Sequence, residues 1–217
     1  MNAVFSIGPI YPLTTGSNRS SLTHAELARA YLEGGARVVQ VRTKELNDAD
    51  CYAQLLAVKS HCREFGARLI VNDRTDLALA VEADGVHLGQ SDLPVEAARR
   101  LLGPRAIIGL STHTSYQFER GLRLDIDYIA LGPIFPTASK VSEYPPLGCS
   151  KLAELAEGSS IPVVAIGGIT LENAPDVWRA GASAVAVISD LASHTDPAGR
   201  VRQYLALYDD LKRKAAR

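Results

Sequence analysis

Short apolar segments alternate with amphipathic ones along almost the whole chain. We predict strands at eight of the apolar segments: 8–14, 37–42, 67–72, 84–88, 106–111, 126–131, 161–166 and 183–189. Several of them are apolar throughout, which is typical of strands that are covered on both faces. Because amphipathic stretches of helical period lie between them, the pattern predicts a parallel sheet with helical connections.

The predicted helices have recognisable ends and buried stripes. Thr23 and Glu26 have capping-box spacing. Asp196 and Pro197 have the residue types of an N-cap and a first helical position before the last helix. In the second helix, apolar residues recur at steps of three and four and form one stripe: Cys51, Leu55, Val58, Cys62 and Phe65.

A weak internal repeat accompanies the strands. Residues 82–89, 125–132 and 181–188 are similar in sequence, and each segment leads into a predicted strand. Eight strand–helix units in 217 residues fit a compact (β/α)8 barrel. A doubly wound open sheet is the alternative, although it rarely needs eight strands at this length. We therefore expect an α/β fold consisting of a single (β/α)8 TIM barrel, with residues 1–217 as one domain.

Composition narrows the range of partners. Hydrophobic residues make up 47% of the chain. Because the net charge is −1, the chain has no general electrostatic attraction to nucleic acid or to an anionic membrane. No apolar run reaches the roughly 18 residues that a membrane span needs. We expect a cytoplasmic protein without nucleic-acid or membrane partners, and the sequence does not indicate an oligomeric state. Any anion must bind at a local site.

The second predicted strand ends in a run of polar residues. In this barrel the reactive residues lie where strands end at their carboxyl side. Strand alternation places Gln40, Arg42 and Lys44 on one face, where two cations and an amide are costly to desolvate without an anionic partner. The alternative is a solvated loop with ordinary surface charges, and for Lys44 alone the two interpretations weigh equally.

Two carboxylates follow the next two strands. Asp73, or Thr75, could simply cap the helix that begins nearby, and Asp92 could be a turn residue before Pro94. Together, beside Arg42 and Lys44, the two aspartates are typical of a magnesium–diphosphate site, since hard oxygen ligands hold the ion and cations hold the remaining charge. His87 lies within its strand and is interpreted as a hydrogen-bonded core histidine.

The fifth and sixth predicted strands also end in candidate residues. Ser111 can donate to a phosphate oxygen, whereas Thr112 or Thr114 could cap the following helix. His113 is either an acid/base group or a loop histidine, and the sequence does not separate these. The long connection after the sixth strand could close over the barrel mouth and bring Lys140 to a leaving group. The alternative is a flexible surface lysine.

The last two strands end in candidate phosphate loops. Gly167 and Gly168 follow the seventh strand, and Ile188 and Ser189 follow the eighth. In this barrel the loops after strands seven and eight are the usual phosphate site, because backbone amides can approach the ligand there. The residues thus predict two anion sites at one barrel mouth, an arrangement suited to joining two phosphorylated substrates.

These motifs resemble the thiamine phosphate synthase family, and the likeness runs over most of the chain. Each motif is short, but their order and their strand-end positions are together specific. The matching segments are Gln40-Val-Arg-Thr-Lys44, Asn72-Asp73, Gly89-Gln-Ser-Asp92, Ser111, Gly132-Pro-Ile-Phe-Pro-Thr-Ala-Ser-Lys140, Gly167-Gly-Ile169 and Ile188-Ser189.

The resemblance implies a transferase that joins 4-amino-5-hydroxymethyl-2-methylpyrimidine diphosphate to 4-methyl-5-(2-hydroxyethyl)thiazole phosphate. Diphosphate leaves first, in a dissociative substitution assisted by Mg²⁺, which Asp73 and Asp92 are expected to hold. The implied catalytic residues are Arg42, Lys44, Ser111 and Lys140. The implied substrate contacts are Gln40, Val41, Arg42, Thr43, Lys44, Asn72, Ser111, Thr137, Ala138, Ser139, Lys140, Gly168, Ile188 and Ser189.

The chain departs from the family pattern at two places. Thr43 stands where a glutamate is common, and alternation points it away from Gln40, Arg42 and Lys44. The first strand has Thr15 after Thr14, where the family more often has an aspartate.

Two other functions compete with the synthase. A thiazole tautomerase on the same fold needs only the thiazole site and a histidine such as His113. That enzyme has no use for Asp73, Asp92 and Lys140 as a diphosphate set, and this chain has all three. A non-catalytic barrel that senses phosphorylated thiazole or thiamine phosphate stays open, because binding residues survive the loss of turnover.

Overall fold

The computed structural model describes residues 7–16, 20–137 and 143–216. Eight parallel strands close into a barrel in sequence order, with β8 beside β1. The strands are β1 Ile10–Thr14, β2 Val38–Val41, β3 Arg68–Asn72, β4 Gly85–Leu88, β5 Ile107–Thr112, β6 Tyr128–Leu131, β7 Val163–Ile166 and β8 Ala184–Val187. Each overlaps its predicted segment, and all eight begin one or two residues later. The predicted (β/α)8 barrel is confirmed.

Helices connect the strands on the outside of the barrel. Their bounds are α1 His24–Glu33, α2 Asp48–Phe65, α3 Thr75–Ala80, α4 Val95–Leu102, α5 Ser115–Gly121, α6 Gly148–Glu157, α7 Ala174–Arg179, α8 Ser189–Ala192 and α9 Pro197–Ala215. Within the described ranges, none of these helices combines the length and the apolar character that crossing a bilayer requires.

The helix ends form as the sequence indicates. Thr23 caps α1 in a complete capping box with Glu26. Asp196 caps α9, where its side chain accepts from the Gly199 N–H and Pro197 takes the first position. In α2 the buried residues are four of the five in the predicted stripe, Cys51, Leu55, Val58 and Cys62, whereas Phe65 is only partly buried. These signals can be recognised in the sequence because each cap and each stripe is formed by residues close together in the chain.

Two apolar layers separate the inside of the barrel from its helical coat. Outward-facing strand residues such as Val39 and Val41 pack with the helices in the larger cluster. Inward-facing ones such as Val38 and Ile70 belong to a smaller cluster inside the barrel. The alternation within β2 therefore directs Gln40, which is buried, into the barrel interior.

The internal repeat has a structural counterpart at the amino-terminal end of the barrel. Asp84, just before β4, accepts a hydrogen bond from the Leu69 N–H of β3 at 2.9 Å. Asp127, just before β6, accepts one from the Ile108 N–H of β5 at 2.8 Å. In both repeats the carboxylate satisfies a backbone donor of the preceding strand. The repeated aspartate therefore fastens the end of the barrel opposite the strand carboxyl ends.

Candidate active site

Two adjoining cavities open at the carboxyl ends of the strands. The first has a volume of about 690 Å³ and extends from the barrel interior to the loops after β6, β7 and β8. The second has a volume of about 450 Å³ and lies over the ends of β2 to β5. The residues that line both are Arg42, Asn72, Ser111 and His113. Residues predicted for the two anion sites thus line two adjoining cavities at one barrel mouth.

A pair of carboxylates and a lysine form the wall of the second cavity. Asp73 and Asp92 are hydrogen bonded to each other. Lys44 Nζ lies 2.5 Å from Asp73 Oδ2. Burial raises the pKa of Asp92, and the hydrogen bond with Asp73 raises it further. Burial also acts to raise the pKa of Asp73, but the hydrogen bonds from Lys44 and Asp92 outweigh it and hold that pKa below its ordinary value.

Neither aspartate serves mainly as a helix cap. The residue before α3 is Arg74, which makes no side-chain capping bond, and Pro94 precedes α4 without one. Asp92 accepts from the Gly89 N–H at 2.6 Å, so it does brace the loop after β4. Asp73 has a φ of 62°, in the left-handed region that non-glycine residues seldom adopt. That backbone strain accompanies a side chain held against Lys44 and Asp92.

The side chains after β2 divide between the cavity and the helices. Arg42 lines both cavities and Lys44 the second. Thr43 Oγ1 lies 2.9 Å from Cys51 Sγ of α2, on the side away from the cavities. Val41 is buried among the helices. Neither Val41 nor Thr43 lines a cavity, so any contact that they make with a substrate comes from their backbone.

The loops after β6 and β7 approach each other closely at the far side of the first cavity. Gly168 has a φ of 64°, and a Cβ atom there would meet the Pro136 carbonyl oxygen and would lie 2.8 Å from Phe135 Cβ. The Phe135 N–H donates to the Gly167 carbonyl at 3.0 Å. Thr137, the last described residue before the gap, lines the same cavity. The two glycines permit this packing, because neither a side chain nor a right-handed backbone would fit.

Ile188 and Ser189 also line the first cavity; Ile188 precedes α8, and Ser189 is the first residue of that helix. Behind them, Asp190 accepts from the Arg200 guanidinium through two bonds of 2.9 Å and from Tyr204 Oη at 2.7 Å. Burial acts to raise the pKa of Asp190, but Arg200 and Tyr204 outweigh it and lower the pKa. The final helix thereby fixes the loop after β8.

His113 braces the connection that follows β6. Its Nδ1 lies 2.6 Å from the Gly132 carbonyl oxygen, and its ring stacks on Tyr144 with centroids 4.6 Å apart. Gln117 Nε2 donates to the Tyr144 hydroxyl at 3.2 Å. Tyr144 and His113 both line the second cavity. The sequence left open whether His113 is an acid/base group or a loop histidine. In the structure its imidazole holds the described end of the long connection against β5 and α5.

The hydroxyls near Ser111 have three different environments. Thr114 caps α5 by accepting from the Gln117 N–H, whereas Thr112 donates to the Ala130 carbonyl and is not a cap. Ser111 lies within β5 and points its hydroxyl towards His87, at 2.8 Å from Nε2. Its side chain lines both cavities.

A set of polar side chains inside the barrel was not predicted as part of the site. His87 has the hydrogen bonds expected of a core histidine, but it also lines the first cavity, as does Tyr11. Tyr128 is buried between them, and Gly109 leaves room for its ring, which a Cβ atom would overlap. A sequence signal was present, since these polar residues occupy inward-facing strand positions that apolar residues usually fill.

Three of the predicted contacts, Ala138, Ser139 and Lys140, lie outside the described residues. The predicted site residues that line the two cavities are Gln40, Arg42, Lys44, Asn72, Asp73, Asp92, Ser111, Thr137, Gly168, Ile188 and Ser189.

Known proteins with this sequence pattern identify the family. A family model described as thiamine monophosphate synthase matches residues 10–191. A thiamine-phosphate synthase of Methanospirillum hungatei JF-1 is 43% identical over 199 residues, covering 91% of this chain and 96% of that protein. The chain belongs to the thiamine monophosphate synthase family. A thiamine-phosphate synthase of Chlorobium phaeovibrioides is 45% identical over 189 residues, covering 87% of this chain and 90% of that protein.

Solved structures agree with membership of the thiamine monophosphate synthase family. Thiamine phosphate pyrophosphorylase from Pyrococcus furiosus superposes with a TM-score of 0.84 at 33% identity, covering 94% of this chain and 96% of that one. The pyrophosphorylase from Bacteroides thetaiotaomicron has a TM-score of 0.69 at 17% identity, covering 93% and 98%, and shows the fold alone. The resemblance drawn from the strand-end motifs is confirmed.

Proposed function

We propose that this chain is a transferase that condenses 4-amino-5-hydroxymethyl-2-methylpyrimidine diphosphate with 4-methyl-5-(2-hydroxyethyl)thiazole phosphate, releasing diphosphate. The observation that carries the proposal is the pair of adjoining cavities. One is walled by two carboxylates and a lysine, and the other ends at paired glycines and the loop after β8. Family membership supports the same reaction, because the relatives bear the name thiamine-phosphate synthase.

The diphosphate belongs in the second cavity. Arg42 and Lys44 supply positive charge there, and Asn72 and Ser111 supply neutral hydrogen-bond donors. The pyrimidine would extend from the shared wall into the first cavity, towards Gln40. The Oε1 atom of Gln40 is buried without a hydrogen-bond partner among the described residues, so an N–H group of a ligand that reached it would relieve that cost.

The thiazole phosphate belongs at the other end of the first cavity. Gly168, Thr137, Ile188 and Ser189 line that end. We propose their backbone N–H groups and the Thr137 and Ser189 hydroxyls as the donors to the phosphate. Ala138 and Ser139 follow Thr137 directly in the chain, and the family resemblance assigns them to the same phosphate. It assigns the next residue, Lys140, to the pyrimidine diphosphate. The apolar wall between the two ends, which includes Ala130 and Val164, suits two stacked heterocycles.

The residues of the site stabilise charge and need no general base. As the carbon–oxygen bond to the diphosphate breaks, negative charge grows on the leaving group, facing Arg42 and Lys44. The aminopyrimidine carries the positive charge until the thiazole nitrogen captures it. Because both cavities share one wall, the nucleophile can lie beside the breaking bond.

The carboxylate pair fits Mg²⁺. Asp73 and Asp92 are close enough to need a proton or a cation between them. Among the residues that the structure describes, no group of three or more potential His, Cys, Asp or Glu ligands is present. Two carboxylates match Mg²⁺, which commonly combines one or two protein carboxylates with substrate phosphates. When bound here, Mg²⁺ would draw charge from the departing diphosphate.

The direct test is to incubate the protein with both phosphorylated substrates and Mg²⁺, and to measure thiamine phosphate and free diphosphate. We expect both products in equal amounts, and none after chelation of the metal. Asp73→Ala combined with Asp92→Ala should lower turnover at least about 100-fold. Asp209→Ala, an exposed site on α9, is the control and should leave turnover unchanged.

The metal assignment would be wrong if products still formed after chelation, or if they still formed in the variant that lacks both aspartates. If isomerisation of the thiazole phosphate were the only reaction observed, the tautomerase would replace the synthase. If both substrates bound without turnover, the chain would be a sensor. We also propose a cytoplasmic location, since substrates that carry this much phosphate charge do not cross an apolar bilayer unaided.

A further inference from the structure

Five side chains from five strands form a continuous chain of hydrogen bonds across the barrel. Gln40 Nε2 donates to the Tyr11 hydroxyl at 2.9 Å, and the Tyr11 and Tyr128 hydroxyls lie 2.8 Å apart. Tyr128 Oη lies 2.9 Å from His87 Nδ1, and His87 Nε2 lies 2.8 Å from Ser111 Oγ. We call this chain of hydrogen bonds the polar relay. One end of it is Gln40, and the other is Ser111, which we propose to donate a hydrogen bond to the diphosphate.

The amide end sets one direction for the hydrogens. Because Gln40 Nε2 can only donate, the Tyr11 oxygen accepts and directs its own hydrogen towards Tyr128. Burial raises the pKa of both phenols, so each keeps its hydrogen. The same order, carried one step further, has Tyr128 donate to His87 Nδ1, which leaves the imidazole hydrogen on Nε2.

The ligand end requires the same direction. A diphosphate accepts hydrogen bonds and donates none when ionised, so Ser111 can contact it only by donating. Its oxygen must then accept from His87, which again places the imidazole hydrogen on Nε2. The order imposed by the amide and the order required by an anion are therefore the same.

The relay is held rigidly. The His87 and Tyr128 rings stack with centroids 5.5 Å apart, and Tyr11 meets Tyr128 edge to face at 5.7 Å. Gly109 makes room for the Tyr128 ring inside the barrel. Tyr11 and Tyr128 are each about 1% exposed or less. Stacked and buried rings limit reorientation of the members, so the network favours one hydrogen order.

We propose that Tyr11, Tyr128 and His87 are positioning residues. Tyr11 and Tyr128 hold His87 in its Nε2–H tautomer, and His87 in that form keeps the Ser111 hydroxyl directed at the departing diphosphate. The proposal rests on the proposed function for the identity of the anion. It adds a task to three residues that touch no reacting atom in that scheme. A donor oriented beforehand stabilises the growing charge without first having to turn away from His87.

The first experiment reads the tautomer directly in the full-length protein. Nitrogen NMR of histidine labelled with ¹⁵N distinguishes a protonated ring nitrogen from a bare one, and His87→Asn assigns the signals. We expect the hydrogen on Nε2 in the unaltered protein. Tyr128→Phe removes the donor to Nδ1 and should produce a mixture of the two tautomers. A hydrogen on Nδ1 in the unaltered protein, or an unchanged tautomer in Tyr128→Phe, would overturn the proposal.

The second experiment asks whether Tyr128 acts through Ser111. Tyr128→Phe should lower kcat about tenfold and change the KM of the pyrimidine diphosphate less than about threefold. In a Ser111→Ala background the same substitution should cost nothing further, because the directed hydroxyl is already gone. Losses that multiply in the double variant would mean that Tyr128 only supports the fold, which contradicts the proposal.

Tyr31→Phe is the matched control. Tyr31 is as buried as Tyr128, but its hydroxyl has no hydrogen-bond partner among the described residues and it packs on the helical side of the barrel. We expect it to change neither the tautomer nor kcat. If Tyr128→Phe does not fold, Tyr11→Phe takes its place and should also admit the Nδ1–H tautomer. The NMR result needs no turnover, so failure of the relay and failure of the proposed function can be told apart.

Discussion

At the scale of single residues, the site is a set of charges held against one another. Lys44 is half exposed, yet its ammonium group lies against Asp73, which in turn is hydrogen bonded to Asp92. An exposed ion pair contributes little to stability. Its value here is that it holds a cation and a carboxylate ready at a cavity wall. The strained backbone of Asp73 is in keeping with a residue whose position serves a ligand.

Lys44→Met should therefore impair the diphosphate end selectively. We expect kcat/KM for the pyrimidine diphosphate to fall about 100-fold, because a charge facing the leaving group is lost. The KM of the thiazole phosphate should change little, since Lys44 does not line the first cavity. Steady-state kinetics with each substrate varied in turn measures both quantities.

Lys151→Met is the control, because Lys151 pairs with Glu154 on α6 and lines neither cavity. It should leave both constants unchanged. Equal losses for the two substrates in Lys44→Met would mean that the lysine shapes the whole site and does not serve the diphosphate alone.

At the scale of elements, the loops after β6 and β7 form one unit. Backbone hydrogen bonds join Phe135 to Gly167 and Ile134 to Ile166. Gly168 lets the two loops touch, because its backbone is left-handed and a side chain would meet Phe135 and Pro136. The shape of the proposed thiazole phosphate site thus depends on contacts between two loops.

Gly168→Ala should separate these loops. We expect the KM of the thiazole phosphate to rise at least tenfold, with a smaller effect on the pyrimidine diphosphate. Gly66→Ala is a close control, since Gly66 has a φ of 62° and no atom within 4 Å of its added Cβ. It should cost about 1 kcal/mol in the free energy of unfolding without altering either KM. Similar KM values in both variants would show that the loop contact does not shape the site.

At the scale of the whole molecule, the barrel is closed by β8 beside β1 and by α9 against α1. This closure supports our proposal that residues 1–217 form one domain. The end of the barrel opposite the site carries the repeated aspartates, Asp84 and Asp127. Asp84 is 13% exposed and binds Lys59 of α2 and Arg68 of β3 besides the Leu69 N–H. It therefore joins two strands and a helix.

Asp84→Asn should lower stability in a pH-dependent manner. Burial acts to raise the pKa of Asp84, but the bonds from Leu69, Arg68 and Lys59 outweigh it and lower the pKa. A lowered pKa stabilises the fold above the ordinary value of about 4, and this stability is lost as the pH falls through the folded-state pKa. Urea unfolding should show a loss of about 1–3 kcal/mol at pH 7 that shrinks towards pH 3.

Asp209→Asn, on the exposed face of α9, should show no such loss at either pH. A deficit in Asp84→Asn that stayed constant with pH would assign the effect to packing and not to charge.

Much of the fold followed from the sequence because its signals are local. Strand alternation, the Thr23 capping box and the apolar stripe of α2 each involve residues close together in the chain. The strands begin one or two residues later than predicted, because residues on the approach to a strand, such as Asp84 and Ser183, already bond to a neighbouring strand but lie outside the regular ladder. The strand-end motifs also determined the family, since the order of short motifs on successive strands is itself a long pattern.

Only the tertiary structure determined which side chains are neighbours across the barrel. Only barrel closure brings Gln40, Tyr11, Tyr128, His87 and Ser111 into one hydrogen-bonded chain, because they come from five strands up to 117 residues apart. It also turned Thr43 to α2 and gave His113 a partner in Tyr144. Side-chain type and strand position are written in the sequence. Hydrogen-bond partners across a barrel depend on register and rotamer, which are set only when all eight strands close.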